Sequence, residues 1–278
     1  MTPYSHQPTY HRLLITGAAG RLGSVLREGL YGEFPILRLS DRQDLGFARP
    51  GEEIFPAHLE NFEDVFDVME DVDAVVHLGA KLDPEDWPEV LQTNIIGTYN
   101  VFEAARRRRV KRVVFASSHH VVGFHRRDHV VGPDAPFRPD SPYAVSKVFG
   151  EALGRLYADK HGLSIVCQRI GVARLQMPHV RGLSTWLSYP DYLHLTRCCL
   201  TAADIHFLVV YGVSANMRRI WDNSIAATIG YTPNDNAENH VEELLKTPDF
   251  SDEPKIERLF AGGFYCSAGF DGDPQKID

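Results

Sequence analysis

Cysteine is scarce in this chain. Four cysteines, two of them adjacent at Cys198 and Cys199, give neither a disulfide framework nor a zinc-ligand spacing. A reducing compartment, the cytoplasm, is therefore the expected setting. No apolar run approaches the ~20 residues that span a bilayer, so no membrane partner is expected. The first eleven residues, Met1 to His11, lack the apolar stretch of a secretion signal and read as a flexible tail ahead of one domain covering 12–278. Positive charge is also in deficit: the net charge of −8 argues against nucleic acid as a partner. The basic run Arg106 to Arg109, with Lys111 and Arg112, reads as a helix end, where cations complement the macrodipole. Internal repeats and disordered linkers are absent as well. With 44% hydrophobic residues, the chain can bury a substantial core in a single domain.

What is present is an alternation of strand-like and helix-like runs. Arg12-Leu-Leu-Ile-Thr16 and Pro35-Ile-Leu-Arg-Leu39 read as the first two strands. A short amphipathic helix over 61–69 leads to a third strand, Ala74-Val-Val-His-Leu78, and a helix follows over about 84–108. Val113-Val-Phe-Ala-Ser117 is a fourth strand, Tyr143 to His161 a helix, and Ser164-Ile-Val-Cys-Gln168 a fifth strand. This pattern predicts an α/β fold, a Rossmann-type doubly wound parallel sheet with right-handed crossovers and a ligand at the carboxyl ends of its strands. The stretch 171–278 is less regular. It predicts a helix, a strand at 206–211 and long loops, and it is expected to supply most of a small substrate-binding cap.

Two motifs carry chemistry. Gly17-Ala-Ala-Gly20-Arg-Leu-Gly23 joins the first strand to a helix. Gly17 allows a tight turn, Gly20 lets the backbone approach a pyrophosphate, and Gly23 lets the helix pack against the strand. Asp41 follows the second strand, about 20 residues on, where an acid accepts from a ribose 2′-hydroxyl. That favours NAD over NADP, although Arg38 and Arg42 could instead serve a 2′-phosphate. In Tyr143-Ala-Val-Ser-Lys147 the lysine stands one helical turn beyond the tyrosine on the same face. A nearby ammonium group stabilises a phenolate, so Tyr143 can take a hydroxyl proton while Ser118, near a strand end, holds the same oxygen.

Taken together, Gly17-x-x-Gly20-x-x-Gly23, His77-Leu-Gly-Ala80, Asn94, Ser118 and Tyr143-x-x-x-Lys147 resemble the short-chain dehydrogenase/reductase superfamily in its extended, epimerase/dehydratase-like branch. Within it, Asn94-Ile-Ile-Gly-x-Tyr-Asn100, Arg169-Ile-Gly171, Leu183-Ser-Thr-Trp186, Trp221-Asp-Asn-Ser224 and Asp235-Asn-Ala-Glu238 resemble the uronate dehydrogenase group. The resemblance implies an NAD-dependent oxidoreductase acting on the anomeric hydroxyl of a hexuronic acid or related sugar and giving a lactone. Ser118, Tyr143 and Lys147 would be catalytic. Gly17, Gly20, Arg21, Leu22, Gly23, Asp41, Leu59, Leu78, Gly79, Ala80 and Asn94 would serve the cofactor, together with Tyr143 and Lys147, Asn94 by supporting the active-site helix and a water path. Ser118, His119, His120, Tyr143 and Arg181 would meet the substrate. No metal is implied, and a homo-oligomer is.

The chain departs from that pattern at four positions. His119 stands where the group has asparagine, and Val172 and Leu82 stand where it has serines, so contacts to a polyol change. His58 replaces an aspartate expected beside adenine. Two alternatives stay open on the sequence: a nucleotide-sugar epimerase or dehydratase that retains its NAD, and an NAD-binding protein without turnover.

Overall fold

In the computed structural model, residues 10–175, 181–244 and 254–277 are described. Seven strands form one sheet: β1 (Arg12–Thr16), β2 (Ile36–Asp41), β3 (Glu52–Pro56), β4 (Ala74–His77), β5 (Arg112–Ser118), β6 (Ser164–Ile170) and, after a small parallel pair β7 (Val172–Ala173) and β8 (Trp186–Leu187), β9 (Phe207–Gly212). The order is β3-β2-β1-β4-β5-β6-β9, and every pairing within the sheet is parallel. The order reverses between β1 and β4, which opens a crevice at the carboxyl ends of those strands. Sandwiched strands must be apolar on both faces, and Leu13, Leu14, Ile15, Val75, Val76, Val113, Val114, Ile165 and Val166 are all fully buried.

β3 escaped the sequence reading. Its run Glu-Glu-Ile-Phe-Pro is an edge strand, and edges carry charge that blunts further pairing. Glu52 is held by Arg27 and Arg49, and Glu53 by Arg12 and Arg38. The packed core already includes a residue before Arg12. Tyr10 is 6% exposed and packs into the core, so the expected tail reaches at most residue 9; residues 1–9 lie outside the described residues.

Helices cover both faces: α1 (Arg21–Gly29), α2 (Phe62–Val68), α3 (Trp87–Val90), which runs through a π-helical turn (Leu91–Ile96) into α4 (Gly97–Arg107), α5 (Pro142–His161), α6 (Gly182–Thr185) and α7 (Tyr189–Thr201). α5 has clear end signals. Ser141 caps it by accepting from the Ala144 amide, Pro142 occupies its first turn, and Gly162 closes it in the left-handed conformation. The basic run closes α4 as expected, with Arg106 and Arg107 paired to Glu103. Not all of 171–278 lies over the site. α7 packs against the sheet core and β9 is its seventh strand, and among the described residues of this stretch only Gly171, Val172, Ala173, Arg174 and Tyr265 border the crevice. Among the described residues no helix is long and apolar enough to cross a membrane.

Candidate active site

The crevice is a cavity of about 530 Å³ running from the β1–α1 turn, past the ends of β2 and β4, to the start of α5. Its first wall is the glycine turn. Gly17 has φ +71°, and a Cβ there would stand 2.6 Å from the Gly79 amide nitrogen. A Cβ on Gly23 would meet the Gly17 carbonyl oxygen at 2.4 Å, so the helix can approach the strand this closely only without one. Arg21 and Leu22 line the same wall, with the positive end of α1 facing the cavity.

Asp41, at the end of β2, accepts from the Ala19 amide at 3.0 Å and the Gln43 amide at 2.9 Å, which fixes its carboxylate on the cavity edge. Arg38 is not available to a 2′-phosphate: it is buried against Glu53 and the carbonyls of Val68 and Glu70. Arg42 lines the cavity but is paired with Glu89 at 3.0 Å. Leu59, Leu78, Gly79 and Ala80 complete this half. His58 does not join them. Its side chain is 60% exposed and lies 3.4 Å from Glu60, as a surface loop residue does.

Ser118, Tyr143 and Lys147 meet at the far end, each almost wholly buried. The Ser118 hydroxyl accepts the His120 amide at 3.2 Å and lies near enough to the Tyr143 phenol to favour its ionised form. Burial is the largest influence on that phenol and raises its pKa. Tyr265 and Asp140 push the same way, and Ser118 opposes them. Burial also lowers the Lys147 ammonium to about 7. Its Nζ lies 5.6 Å from the centre of the Tyr143 ring. In the protein alone, then, desolvation outweighs the ammonium effect expected from the sequence: the phenol is held neutral, and the ammonium gives up its proton far more readily than an exposed lysine does.

Two expected residues do not line the cavity. Asn94, in the π-helical turn, accepts the Lys81 amide at 2.7 Å and donates to the Lys81 carbonyl and to Ser146 on α5. It ties the β4 loop to the helix that carries Tyr143 and Lys147. Arg181 donates from Nη2 to the Ala261 carbonyl at 2.6 Å, and its guanidinium lies against Gly263. It clamps the 261–263 turn and reaches the site through its field at His119.

His119 and His120 do line the cavity. His119 is 2% exposed, and burial holds its pKa well below the ordinary value, so it is neutral. Its Nδ1 has no partner among the described residues. Val172 and Leu82, the other two departures, also border the cavity, Leu82 being 68% exposed. Tyr265 and Arg174 line it without having been singled out in the sequence. Tyr265 stacks on His120 with ring centres 4.0 Å apart. An aromatic residue far along the chain, in a short helix (Phe264–Ser267) after two glycines, carries no signal that it will reach a site built from β5 and α5.

A parallel doubly wound sheet, a glycine turn aimed into its switch-point crevice and a buried serine, tyrosine and lysine beside it define a dinucleotide-dependent oxidoreductase of the short-chain dehydrogenase/reductase type. The chain belongs to the NAD dependent epimerase/dehydratase family, whose model matches residues 13–173. It is 40% identical to the uronate dehydrogenase of Pseudomonas putida, over 94% of this chain and 97% of that one. Glucuronic acid dehydrogenase from Chromohalobacter salexigens superposes with a TM-score of 0.90 at 38% identity, over 96% of this chain and 99% of that one. A variant of uronate dehydrogenase from Agrobacterium tumefaciens complexed with NAD superposes with a TM-score of 0.87 at 40% identity, over 92% and 97% of the two chains.

Proposed function

We propose that this protein is an NAD-dependent uronate dehydrogenase that oxidises the anomeric hydroxyl of a hexuronic acid, or a closely related acidic sugar, to a lactone. The observation that carries the reading is the convergence of Ser118, Tyr143 and Lys147 at the end of a cavity whose other end is the glycine turn and Asp41. The residues present fit NAD. Glycines without Cβ atoms leave the backbone open at the turn, and the fixed Asp41 carboxylate suits a ribose diol and repels a phosphate. When bound, NAD supplies the acceptor for the hydride that leaves the sugar carbon.

The chain's own residues handle the proton and the orientation. Ser118 holds the reacting oxygen, Tyr143 takes its proton, and the Lys147 ammonium, when charged, stabilises the resulting phenolate. Arg174 on the cavity wall and Arg181 behind His119 supply positive charge for a carboxylate. His119, Val172 and Leu82 set which sugar hydroxyls find partners, and they narrow or shift the substrate range within the acidic sugars. The cytoplasm is the proposed setting, supported by four cysteines that are all buried free thiols. Self-association belongs to the same proposal and rests on the family resemblance.

The test is NADH formation with glucuronate, galacturonate, neutral aldoses and nucleotide sugars. A uronate-dependent signal lost in Tyr143→Phe supports the reading. Conversion of a nucleotide sugar without accumulated NADH would replace it with an epimerase or dehydratase.

A further inference from the structure

A buried carboxylate stands beside the catalytic phenol with no role in the steps above. The Asp140 side chain is fully enclosed; its Oδ2 lies 2.6 Å from His120 Nδ1, and its Oδ1 accepts from the Ser141 hydroxyl at 2.9 Å. Space for it exists because residues 123 and 262 are glycines: a Cβ at either would lie 1.9 Å from Oδ2. Asp140 thus joins three stretches of chain, the turn after β5 that bears His120, the cap of α5, and the C-terminal turn that brings Tyr265.

The chemistry of the pair fixes a proton. A carboxylate only accepts, so the hydrogen between Asp140 and His120 sits on Nδ1. A neutral imidazole then has its lone pair on Nε2. The ring is held between His119 at 4.1 Å and Tyr265 at 4.0 Å, and it lies 6.2 Å from the Tyr143 ring. Since Nδ1 faces the enclosed carboxylate and His120 lines the cavity, Nε2 is the nitrogen left for a ligand.

We propose that Asp140 is a positioning residue that holds His120 as a hydrogen-bond acceptor, so that the site requires a free hydroxyl on the sugar carbon next to the one oxidised. The identity of that hydroxyl rests on the sugar-oxidation reading, whereas the tautomer does not.

Long-range nitrogen–proton correlation in the wild-type protein with NAD reports which ring nitrogen of His120 carries the proton. A proton on Nδ1 alone is expected; a proton on Nε2, alone or with Nδ1, overturns the proposal whatever the substrate proves to be. Asp140→Asn has one acceptor oxygen for two donors, so the Nδ1–H tautomer loses its support. Its kcat/KM is expected to fall about 10- to 100-fold, chiefly through KM, with the Kd for NAD unchanged. His120→Leu should lose as much, and the double variant no more than either. The wild type should also discriminate against the 2-deoxy sugar acid by a similar factor, and Asp140→Asn should not. Losses that multiply in the double variant, or equal use of the 2-deoxy compound by the wild type, would sink the idea.

Discussion

Arg169→Met is the substitution whose consequence can be worked most fully from the structure. Arg169 on β6 and Glu151 on α5 form a bidentate pair, with both bonds at 2.9 Å and both side chains 2% exposed. The Ser117 hydroxyl donates to the same Glu151 carboxylate at 2.5 Å, and Arg169 Nη1 donates to the Pro133 carbonyl at 3.0 Å. The pair therefore locks the residue before Ser118 to the helix that carries Tyr143. Methionine fills most of the volume but leaves a buried carboxylate without its cation, a loss of about 3–5 kcal/mol. For a domain of this size that corresponds to a fall in Tm on the order of 10 °C. Thermal unfolding by circular dichroism, with kcat measured on the folded fraction, is the assay. Arg169→Met combined with Glu151→Leu should recover most of the stability, because the uncompensated charge is gone. A single-variant loss below about 1 kcal/mol, the range of a solvated pair, would mean that Glu151 is not left as an uncompensated buried charge.

Two further outcomes follow from the site. Burial lowers the Lys147 pKa to about 7 from an ordinary 10.5, so the unfolded chain holds that proton to higher pH than the folded one. Its contribution to stability without cofactor therefore grows as pH rises from about 7 and is lost as pH falls; the Tm difference between wild type and Lys147→Met should move in the wild type's favour from pH 7 to 9, and a flat difference would contradict the burial effect. Asp41→Asn should weaken NAD binding about 10- to 100-fold by calorimetry while improving NADP, since the repelling charge is gone. An unchanged ratio of the two affinities would remove Asp41 from the cofactor site.

The parts of this molecule that the sequence made legible are local. A glycine turn between strand and helix, an acid at the next strand end and two side chains one helical turn apart are each readable from spacing, and all of them line one cavity. The misses have physical causes. β3 hid behind glutamates that serve an edge strand. Asn94 stays off the cavity lining because its amide is used by the Lys81 backbone and by Ser146 on α5, the helix it was expected to support. Arg181 satisfies a carbonyl in the C-terminal turn instead of projecting into the cavity. Asp140 and Tyr265 matter because the fold carries them to His120 from elsewhere in the chain, and no short-range pattern marks that meeting.

The central claim is that hydride leaves the anomeric carbon of a uronic acid as Tyr143 takes the hydroxyl proton. Glucuronate carrying deuterium at that carbon, turned over with NAD and followed by mass spectrometry of the reduced nucleotide, tests it directly. Deuterium is expected in the nicotinamide ring of the product NADH, and no product from Tyr143→Phe. Unlabelled NADH, or labelled NADH formed at the wild-type rate by Tyr143→Phe, would contradict it.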